Sequence, residues 1–271
     1  MDDATFLREL LQAKLLVELM SQALHKELVL KGGLAMRAVL GSTRYTKDID
    51  LDALSWAGPE RVRGIVRRAL GRVVRQPGLI EDPQITEPKQ TETTLRWRVS
   101  GRIPGTTRPV TLTVEVSRRP WAAPFRTKEV ELSPAFAQGA VRGRIQVLDE
   151  RALSVCKVLA LTDPKRDATR DLYDLGVLLE TALEDPAELL ANQDAARLEE
   201  AMDELWSKVE SMGYDRFRAE VAPYLPPDIA AAITEEIYGD MQLKVAENVE
   251  MWLERAVKLQ KAEEARKKIE R

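Results

Sequence analysis

The sequence predicts an α/β fold with two parts, a lobe built around a small mixed β-sheet (residues 1–148) and a helical lobe (residues 149–271). Two observations support this division. Apolar and polar residues alternate with a period of two in Thr94–Ser100 and in Val110–Val116, as expected of strands with one buried face. From Asp149 onward apolar residues instead recur at steps of three and four, which is typical of amphipathic helices.

Composition limits the chemistry that the chain can perform. Of its 271 residues 44% are hydrophobic and 31% are charged, as in an ordinary soluble globular protein. A single cysteine, Cys156, and a single histidine, His25, exclude an internal disulfide and multi-histidine metal centres. No apolar run approaches the roughly 20 residues that span a membrane, and the start MDDATFLREL lacks the basic segment of a signal peptide. We therefore expect a cytoplasmic protein whose catalysis depends on carboxylates, Lys and Arg.

Charge is distributed unevenly along the chain. Lys31–Arg144 contains 21 Lys and Arg against 11 Asp and Glu, a net charge of +10, whereas Ile145–Arg271 contains 17 against 28, a net charge of −11. A basic half suits a polyanionic substrate such as RNA. Two lobes of opposite charge that attract each other explain the same pattern, so both interpretations stay open.

A double glycine follows the first predicted strand. An amphipathic helix over Asp3–Glu27 leads into the strand Leu28–Leu30, the turn at Gly32-Gly33 and a short helix over Leu34–Leu40. Because glycine has no side chain, the backbone N–H groups of this turn can approach an anion at the N-terminus of the next helix. A plain tight turn would also need glycine.

The run Asp48-Ile49-Asp50-Leu51-Asp52 indicates a metal site. Its period of two places all three aspartates on one face of a strand, and Thr46 joins them if the strand extends that far. Neighbouring carboxylates repel unless a cation lies between them, and Mg²⁺ is held by a few carboxylates together with substrate phosphates. We expect Asp52 to be exposed on the same face without serving as a required ligand.

Leu28–Asp52 resembles the AbiEii/AbiGii family of nucleotidyltransferase toxins, a branch of the polymerase-β-like superfamily that is similar to the mycobacterial MenT-type toxins. The matching residues are Lys31-Gly32-Gly33, Ala35, Arg37, Arg44, Thr46 and Asp48-x-Asp50. A second block resembles the same family, with Lys157, the looser match Arg166 and then Arg170-Asp171-x-x-Asp174. The resemblance covers roughly Leu28–Leu178.

This resemblance implies an enzyme that transfers a nucleoside monophosphate from an NTP to RNA, with the 3′ acceptor end of tRNA as the leading target and a cognate antitoxin as partner. One or two Mg²⁺ ions are the implied cofactor. Implied catalytic residues are Asp48, Asp50, Lys157 and Asp174, and implied nucleotide contacts are Lys31, Gly32, Gly33, Arg37, Arg44, Thr46, Lys157 and Arg170. Asp174 would position either Lys157 or Arg170, and an ion pair that only stabilises the lobe is the alternative. A protein or small-molecule acceptor, or a non-catalytic binding module, also stays open.

Glu115 is the third candidate metal ligand, beside Asp48 and Asp50. It stands alone among small hydroxyl residues on the polar side of the Val110–Val116 strand, and in the superfamily a neighbouring strand supplies the third carboxylate. Relatives more often have Asp there, and a surface glutamate at a sheet edge is the competing interpretation.

The helix predicted over Pro59–Val74 carries a stripe of arginines opposite its apolar face. With Glu60 as the only acidic residue in the helix, the stripe is a candidate contact for the RNA backbone, although many such stripes are simply solvated. The candidate residues are Arg61, Arg67, Arg68, Arg72 and Arg75.

Between and after these elements the sequence predicts less regular structure. A long loop is predicted over Gln76–Glu92, which is rich in Pro, Glu and Gln, and irregular chain over Arg118–Arg144 before a last strand at Ile145–Leu148. The helical lobe is predicted to end in a long helix from about Met241, with no catalytic pattern in residues 186–271.

Overall fold

The computed structural model describes residues 3–22, 27–54, 57–119, 126–181 and 184–269. The single histidine, His25, lies outside these ranges. By its internal contacts the chain divides into two compact units. The first takes the described residues through 119 together with 127–148, and the second takes Arg126 and the residues from Asp149 onward.

The first unit is a mixed sheet with helices. Its described helices are α1 (Asp3–Gln22), α2 (Gly32–Val39) and α3 (Pro59–Val73), and its described strands are β1 (Leu28–Lys31), β2 (Asp48–Ala53), β3 (Glu81–Gln90), β4 (Thr94–Arg102), β5 (Pro109–Ser117), β6 (Thr127–Glu131) and β7 (Arg144–Leu148). The strand order is β3-β4-β5-β2-β1-β7-β6. β2 runs parallel to β5 and β1 parallel to β7, whereas the other neighbours are antiparallel. This confirms the predicted α/β class with a mixed sheet.

Alternation in β4 and β5 gives the sheet one buried and one polar face. Leu95, Trp97 and Val99 are at most 1% exposed, and the indole N–H of Trp97 donates to Glu87, which also binds Arg67 of α3. The residues between them, such as Arg96 and Arg98, therefore project from the opposite face. The polar side chains of β2 and β5 lie on this second face, so the fold gathers the candidate chemistry there.

The loop predicted over Gln76–Glu92 is wrong, because strand β3 occupies Glu81–Gln90 and pairs with β4. β3 is the outer strand, where prolines are tolerated because one side of the strand needs no backbone donors. Register shifts between Glu81 and Gln84 and between Thr86 and Lys89 accommodate the two prolines within the strand. Most of its side chains are exposed, so the sequence carries no alternating apolar pattern.

The irregular chain predicted over Arg118–Arg144 is wrong in part, since β6 (Thr127–Glu131) forms the opposite edge of the sheet. β6 pairs antiparallel with β7 through five residues. It contains a single apolar residue, Val130, among Thr, Lys and Glu, so neither propensity nor periodicity marks it as a strand.

The second unit is helical. Its described helices are α4 (Glu150–Leu161), α5 (Thr169–Leu179), α6 (Ala187–Leu190), α7 (Ala195–Ser211), α8 (Tyr214–Glu220), α9 (Pro227–Ala232) and α10 (Glu235–Ile269). Aromatic rings fill its core: the ring centroids of Phe217 and Tyr238 lie 4.7 Å apart, and the Tyr238 hydroxyl donates to the Met212 carbonyl at 2.7 Å. α10 begins six residues earlier than predicted. None of the described helices combines the length and apolar character that crossing a membrane requires.

Candidate active site

Because Gly32 has no side chain, the carboxylate of Asp50 can lie against the start of α2. The backbone of Gly32 has φ of +69°, a left-handed conformation that glycine adopts without penalty. A methyl group at this position would lie 2.6 Å from Oδ2 of Asp50. Only a residue without a side chain therefore permits both the turn and the approach of the carboxylate.

Gly33 plays the same steric role for Arg44. A methyl group at Gly33 would lie 2.6 Å from Nη2 of Arg44 and 3.6 Å from the Thr46 hydroxyl. Arg44 is 6% exposed, so its charge is held close to the turn. The Thr46 hydroxyl accepts a hydrogen bond from the Asp48 backbone N–H at 3.5 Å. The double-glycine turn thus has a guanidinium on one side and a carboxylate on the other.

The N-terminus of α2 carries neither a side-chain cap nor an acidic residue in its first turn. Its first N–H groups point toward whatever lies before the helix, as at the N-terminus of any α-helix. These groups and the helix dipole favour an anion. The two glycines allow the Asp50 carboxylate and the Arg44 guanidinium to approach this helix end closely.

Asp52 differs from the prediction, because it is buried rather than exposed. It is 3% exposed, and its Oδ1 accepts a hydrogen bond from Nζ of Lys31 at 2.5 Å. A buried carboxylate needs such a partner to remain charged. Lys31, predicted to contact nucleotide, therefore neutralises the third aspartate of the run.

Glu115 lies beside Asp50, but a guanidinium holds its carboxylate. β2 and β5 pair in parallel with Asp50 opposite Glu115. From β4, Nε and Nη2 of Arg96 donate to Oε2 of Glu115 at 2.8 and 2.5 Å. Across the ranges that the structure describes, no three His, Cys, Asp or Glu side chains form a ready-made metal site. The predicted three-carboxylate cluster is therefore not preassembled.

Asp48 and Asp50 alone still suit a hard divalent cation. Both are half-buried on the polar face of β2, and Asp50 adjoins the anion-binding end of α2. Mg²⁺ is commonly bound by one or two carboxylates, with water and substrate phosphates completing its coordination. The residues present therefore fit the metal that the sequence predicts.

Arg37 belongs to the interior of the protein. Its guanidinium is 6% exposed and binds Glu9 of α1 through Nε at 2.6 Å and Nη2 at 3.2 Å. It also donates to the carbonyls of Ser42 and Ala135. Because its guanidinium donates to two oxygens of Glu9 and to two backbone carbonyls, Arg37 fixes α2 against α1. We therefore assign it no nucleotide contact.

Most arginines of the α3 stripe have acidic partners, contrary to the expectation from the helix alone. These partners come from other elements: Glu27 for Arg61, Glu87 for Arg67 and Glu18 for Arg72. Arg68 donates to the side chain of Gln22. Among the described residues Arg75 forms no ion pair, and it is exposed. The stripe therefore offers much less uncompensated positive charge than the sequence indicates.

The second motif forms a buried ion cluster within the helical unit. Nζ of Lys157 donates to Oδ1 of Asp171 at 2.9 Å and to Oδ2 of Asp174 at 2.5 Å. Lys157 is 6% exposed, and both aspartates are at most 1% exposed. Of the two partners considered for Asp174, the structure selects Lys157. Arg170 is exposed and forms no ion pair with a described residue.

Arg166 completes this cluster from its outer side. Its Nε donates to Oδ2 of Asp171 at 2.7 Å. Burial by itself would raise the pKa of the Asp171 carboxyl, but the charges of Lys157 and Arg166 outweigh burial and hold that pKa below its usual value. Asp171 is therefore ionised at neutral pH.

Sequence reasoning missed two residues that shape the site. Arg96 lies in the alternating run of β4 and Glu9 in the amphipathic helix α1, and neither pattern marks these residues as functional. The alternation shows that Arg96 and Glu115 both lie on polar faces, but their contact depends on the register of β4 and β5. Glu9 lies 28 residues from Arg37, and no local pattern links the two.

The chain is similar to known proteins in both sequence and fold. Over residues 14–255 the chain matches the family described as "Nucleotidyl transferase AbiEii toxin, Type IV TA system". This family match shows that the protein is a nucleotidyltransferase. The chain belongs to the AbiEii family of nucleotidyltransferase toxins, which confirms the resemblance inferred from its motifs. A search of curated proteins finds no match.

Solved structures share the fold at low sequence identity. A structure described as a nucleotidyltransferase of Helicobacter pylori is 19% identical with a TM-score of 0.58, covering 97% of this chain and 98% of that one. JHP933 of Helicobacter pylori is 17% identical with a TM-score of 0.56, covering 99% and 98%. MenT4, a nucleotidyltransferase toxin of Mycobacterium tuberculosis, is 18% identical with a TM-score of 0.51, covering 95% and 93%.

Proposed function

We propose that the protein is a Mg²⁺-dependent toxin that transfers a nucleoside monophosphate from an NTP to RNA, with the 3′ end of tRNA as acceptor. The 3′ hydroxyl forms a bond to the α-phosphate, the bond between the α- and β-phosphates breaks, and pyrophosphate leaves. One observation carries the proposal: the Asp50 carboxylate lies against the glycine turn that opens α2. This arrangement supports the proposal, because a carboxylate suited to a metal lies beside backbone N–H groups suited to a phosphate. A metal-bound triphosphate would supply a partner for each, the metal for the carboxylate and the phosphate oxygens for the N–H groups.

Asp48 and Asp50 would hold one or two Mg²⁺ ions, and Glu115 would join them once Arg96 releases it. When bound, the metal polarises the phosphate that is attacked and lowers the pKa of the attacking hydroxyl. Glu115 would hold either the metal or Arg96, because its carboxylate is the group that both would contact. Binding of metal and nucleotide would therefore change the partner of Glu115.

The glycine turn would receive the triphosphate. Backbone N–H groups at the start of α2 would donate to phosphate oxygens. Arg44, buried beside Gly33, supplies positive charge close to the same position. The Thr46 hydroxyl, which accepts from the Asp48 N–H, orients the first carboxylate. Lys31 would affect nucleotide binding indirectly, because its amine balances the negative charge of Asp52.

The second motif supports the same assignment through the family pattern. We propose that Lys157 and Asp174 take part in catalysis, with Arg170 as a nucleotide contact, because these residues match the second block of the family. The buried pair supports a joint role, because the Asp174 carboxylate contacts the Lys157 amine at 2.5 Å and would fix its position. Arg170, exposed and without an ion pair among the described residues, retains donors for a phosphate.

RNA as the acceptor rests on charge and family. The residues from Lys31 to Arg144 carry a net charge of +10, which favours a polyanion over a neutral acceptor. Membership of a toxin family described with a type IV toxin-antitoxin system supports a cognate antitoxin as partner and activity in the cytoplasm. Transfer to a protein or small molecule would use the same carboxylates.

The test is label transfer from nucleotide to acceptor. Purified protein is incubated with Mg²⁺, total tRNA and each α-labelled NTP in turn, beside an Asp48→Ala plus Asp50→Ala variant. We expect label on tRNA from one preferred nucleotide, lost with the variant and on chelation of the metal. Label that appears only on protein or small molecules would replace the RNA acceptor, and absence of any transfer would reject the proposal.

A further inference from the structure

The polar face of the sheet continues from the carboxylates into a row of cations. The register pairs Asp50 with Glu115, Glu115 with Arg96, and Arg96 with Lys89, on the consecutive strands β2, β5, β4 and β3. Residues paired in this way lie side by side on one face of a sheet. The row therefore changes from negative to positive charge as it runs toward the outer edge.

A second row beside the first also runs from an aspartate on β2 to an arginine on β4, through a neutral threonine on β5. Asp48 pairs with Thr113, and Thr113 pairs with Arg98. Arg98 lies two residues from Arg96 and so projects from the same face. With Lys89 these residues make a cationic face, defined here as Lys89, Arg96 and Arg98.

The direction of Lys89 follows from its neighbour. The side chain of Gln90 accepts a hydrogen bond from Nε of Arg63 on α3 at 3.2 Å, so Gln90 projects toward the helical side of the sheet. Successive residues of a strand point to opposite faces. Lys89 therefore projects toward the polar face, the side that holds Asp48 and Asp50.

Two members of the cationic face have uncompensated charge. Lys89 and Arg98 are exposed, and neither forms an ion pair with any residue that the structure describes. Arg96 is shared with Glu115, yet its side chain is 42% exposed. Most of the α3 arginines, by contrast, are paired with glutamates. An incoming polyanion has less internal competition to overcome at Lys89 and Arg98.

The position of these cations indicates a ligand longer than one nucleotide. The glycine turn that would receive the triphosphate adjoins Asp50 on β2, whereas Arg98 and Lys89 lie two and three strands away. With strands about 4.8 Å apart, these positions are about 10 and 14 Å from β2. A chain of phosphates that leads away from the reacting end would pass along this face.

We infer that Lys89 and Arg98, together with Arg96, bind the phosphate backbone of the acceptor RNA and guide its 3′ end toward Asp48 and Asp50. The inference rests on the proposed function, because it names where the acceptor of that site binds. Cations that contact phosphates position a nucleic acid without reading its sequence. The cationic face would thus set affinity and register, whereas α3 would contribute little.

The test compares two double variants that remove the same charge. The sheet variant, Lys89→Ala plus Arg98→Ala, removes two exposed cations of the sheet. The α3 variant, Arg68→Ala plus Arg75→Ala, removes one exposed cation of α3 and one that lies two residues beyond its end. No ion pair with a described residue is broken in either variant. Binding of fluorescent tRNA is measured by anisotropy over about 50 to 200 mM salt, and binding of Mg²⁺-NTP is measured by calorimetry.

We expect the sheet variant to bind tRNA roughly tenfold more weakly, with the slope of log affinity against log salt reduced by about 1.5 to 2. The affinity of the sheet variant for Mg²⁺-NTP should equal that of the wild type. The α3 variant should reduce the salt slope of tRNA binding by less than half the reduction seen in the sheet variant. Equal effects from the two variants would show that tRNA affinity depends only on the net charge of the protein, and this result would overturn the inference. Wild-type tRNA affinity in the sheet variant would overturn it as well.

Label transfer separates this inference from the proposed function. If the wild type labels tRNA and the sheet variant does so equally well at limiting tRNA, the proposed function stands and the inference fails. If tRNA binds through Lys89 and Arg98 but receives no label, tRNA is not the acceptor, and the inference that these residues guide its 3′ end is overturned together with the RNA acceptor. If the wild type does not bind tRNA at all, the inference is overturned, and transfer to other acceptors still reports on the catalytic site.

Discussion

Asp50 and Gly32 are matched so closely that a single methyl group on the glycine would lie 2.6 Å from the Asp50 carboxylate. The glycine turn and the carboxylate strand therefore form one unit. This relationship explains why the double glycine and the Asp-x-Asp pair occur together in the sequence, fifteen residues apart. It also makes the turn a sensitive position for testing the site.

Replacement of Gly32 by alanine should reduce activity more than stability. The left-handed backbone costs about 1–2 kcal/mol for a residue with a side chain, and the added methyl group must also displace Asp50. Gly41→Ala is the matched control, because Gly41 has φ of +72° but no atom within 4 Å of an added methyl group. Both variants should lose similar stability in thermal unfolding, whereas only Gly32→Ala should lose transfer, by about 100-fold or more. Equal activity in the two variants would contradict the proposed role of the turn.

Glu115 and Arg96 should affect the requirement for Mg²⁺ in opposite directions. Glu115→Gln removes the third carboxylate, so we expect the Mg²⁺ concentration for half-maximal activity to rise about tenfold. Arg96→Gln removes the cation that competes for Glu115, so that concentration should fall. Both are read from Mg²⁺ titrations of the initial transfer rate. An unchanged requirement in Glu115→Gln would show that Glu115 is only the partner of Arg96.

Much of this site could be predicted from sequence because its elements are local. The strand with Asp48, Asp50 and Asp52, the glycine turn and the alternating runs of β4 and β5 all follow from a period of two or from the properties of glycine. The α/β class and the family follow from the same residues. The contact between Arg96 and Glu115 could not be predicted, since it depends on which residues of β4 and β5 pair.

The sequence does not predict strands β3 and β6. β3 and β6 are the edges of the sheet, and their residues are mostly charged, polar or proline. Because an edge strand pairs with a neighbour on one side only, polar residues and prolines are tolerated in it, and its sequence carries no alternating apolar pattern. The acidic partners of the α3 arginines could not be predicted from the helix alone, because Glu18, Glu27 and Glu87 come from other segments.

Replacement of Lys157 by methionine should destabilise the helical unit strongly. The variant leaves Asp174 with its buried carboxylate and without the Lys157 amine, and removing one partner of a buried pair costs about 3–5 kcal/mol. Lys258→Met is the control, because Lys258 forms an exposed pair with Glu254 that is worth about 0.5 kcal/mol or less. Urea unfolding at pH 7 measures both. A loss below about 1 kcal/mol in Lys157→Met would show that the cluster tolerates an uncharged partner.

Asp171 should make stability depend on pH in the acidic range. Its folded pKa is below the usual value of about 3.9, so its ionisation stabilises the fold fully above that value. The contribution is lost as pH falls through the folded pKa, because the unfolded chain then binds the extra proton. The difference in free energy of unfolding between the wild type and Asp171→Asn should therefore shrink between about pH 5 and pH 2. A difference that stays constant over this range would contradict the lowered pKa.

The central claim is transfer of a nucleoside monophosphate to the 3′ end of tRNA, and one comparison tests it most directly. The wild type is incubated with Mg²⁺ and the preferred nucleotide, labelled either at the α- or at the γ-phosphate, and with tRNA that is intact or oxidised by periodate at its 3′-terminal diol. We predict label on intact tRNA from the α-phosphate only, and none on oxidised tRNA. Transfer of the γ-phosphate, or equal labelling of oxidised tRNA, would contradict the account.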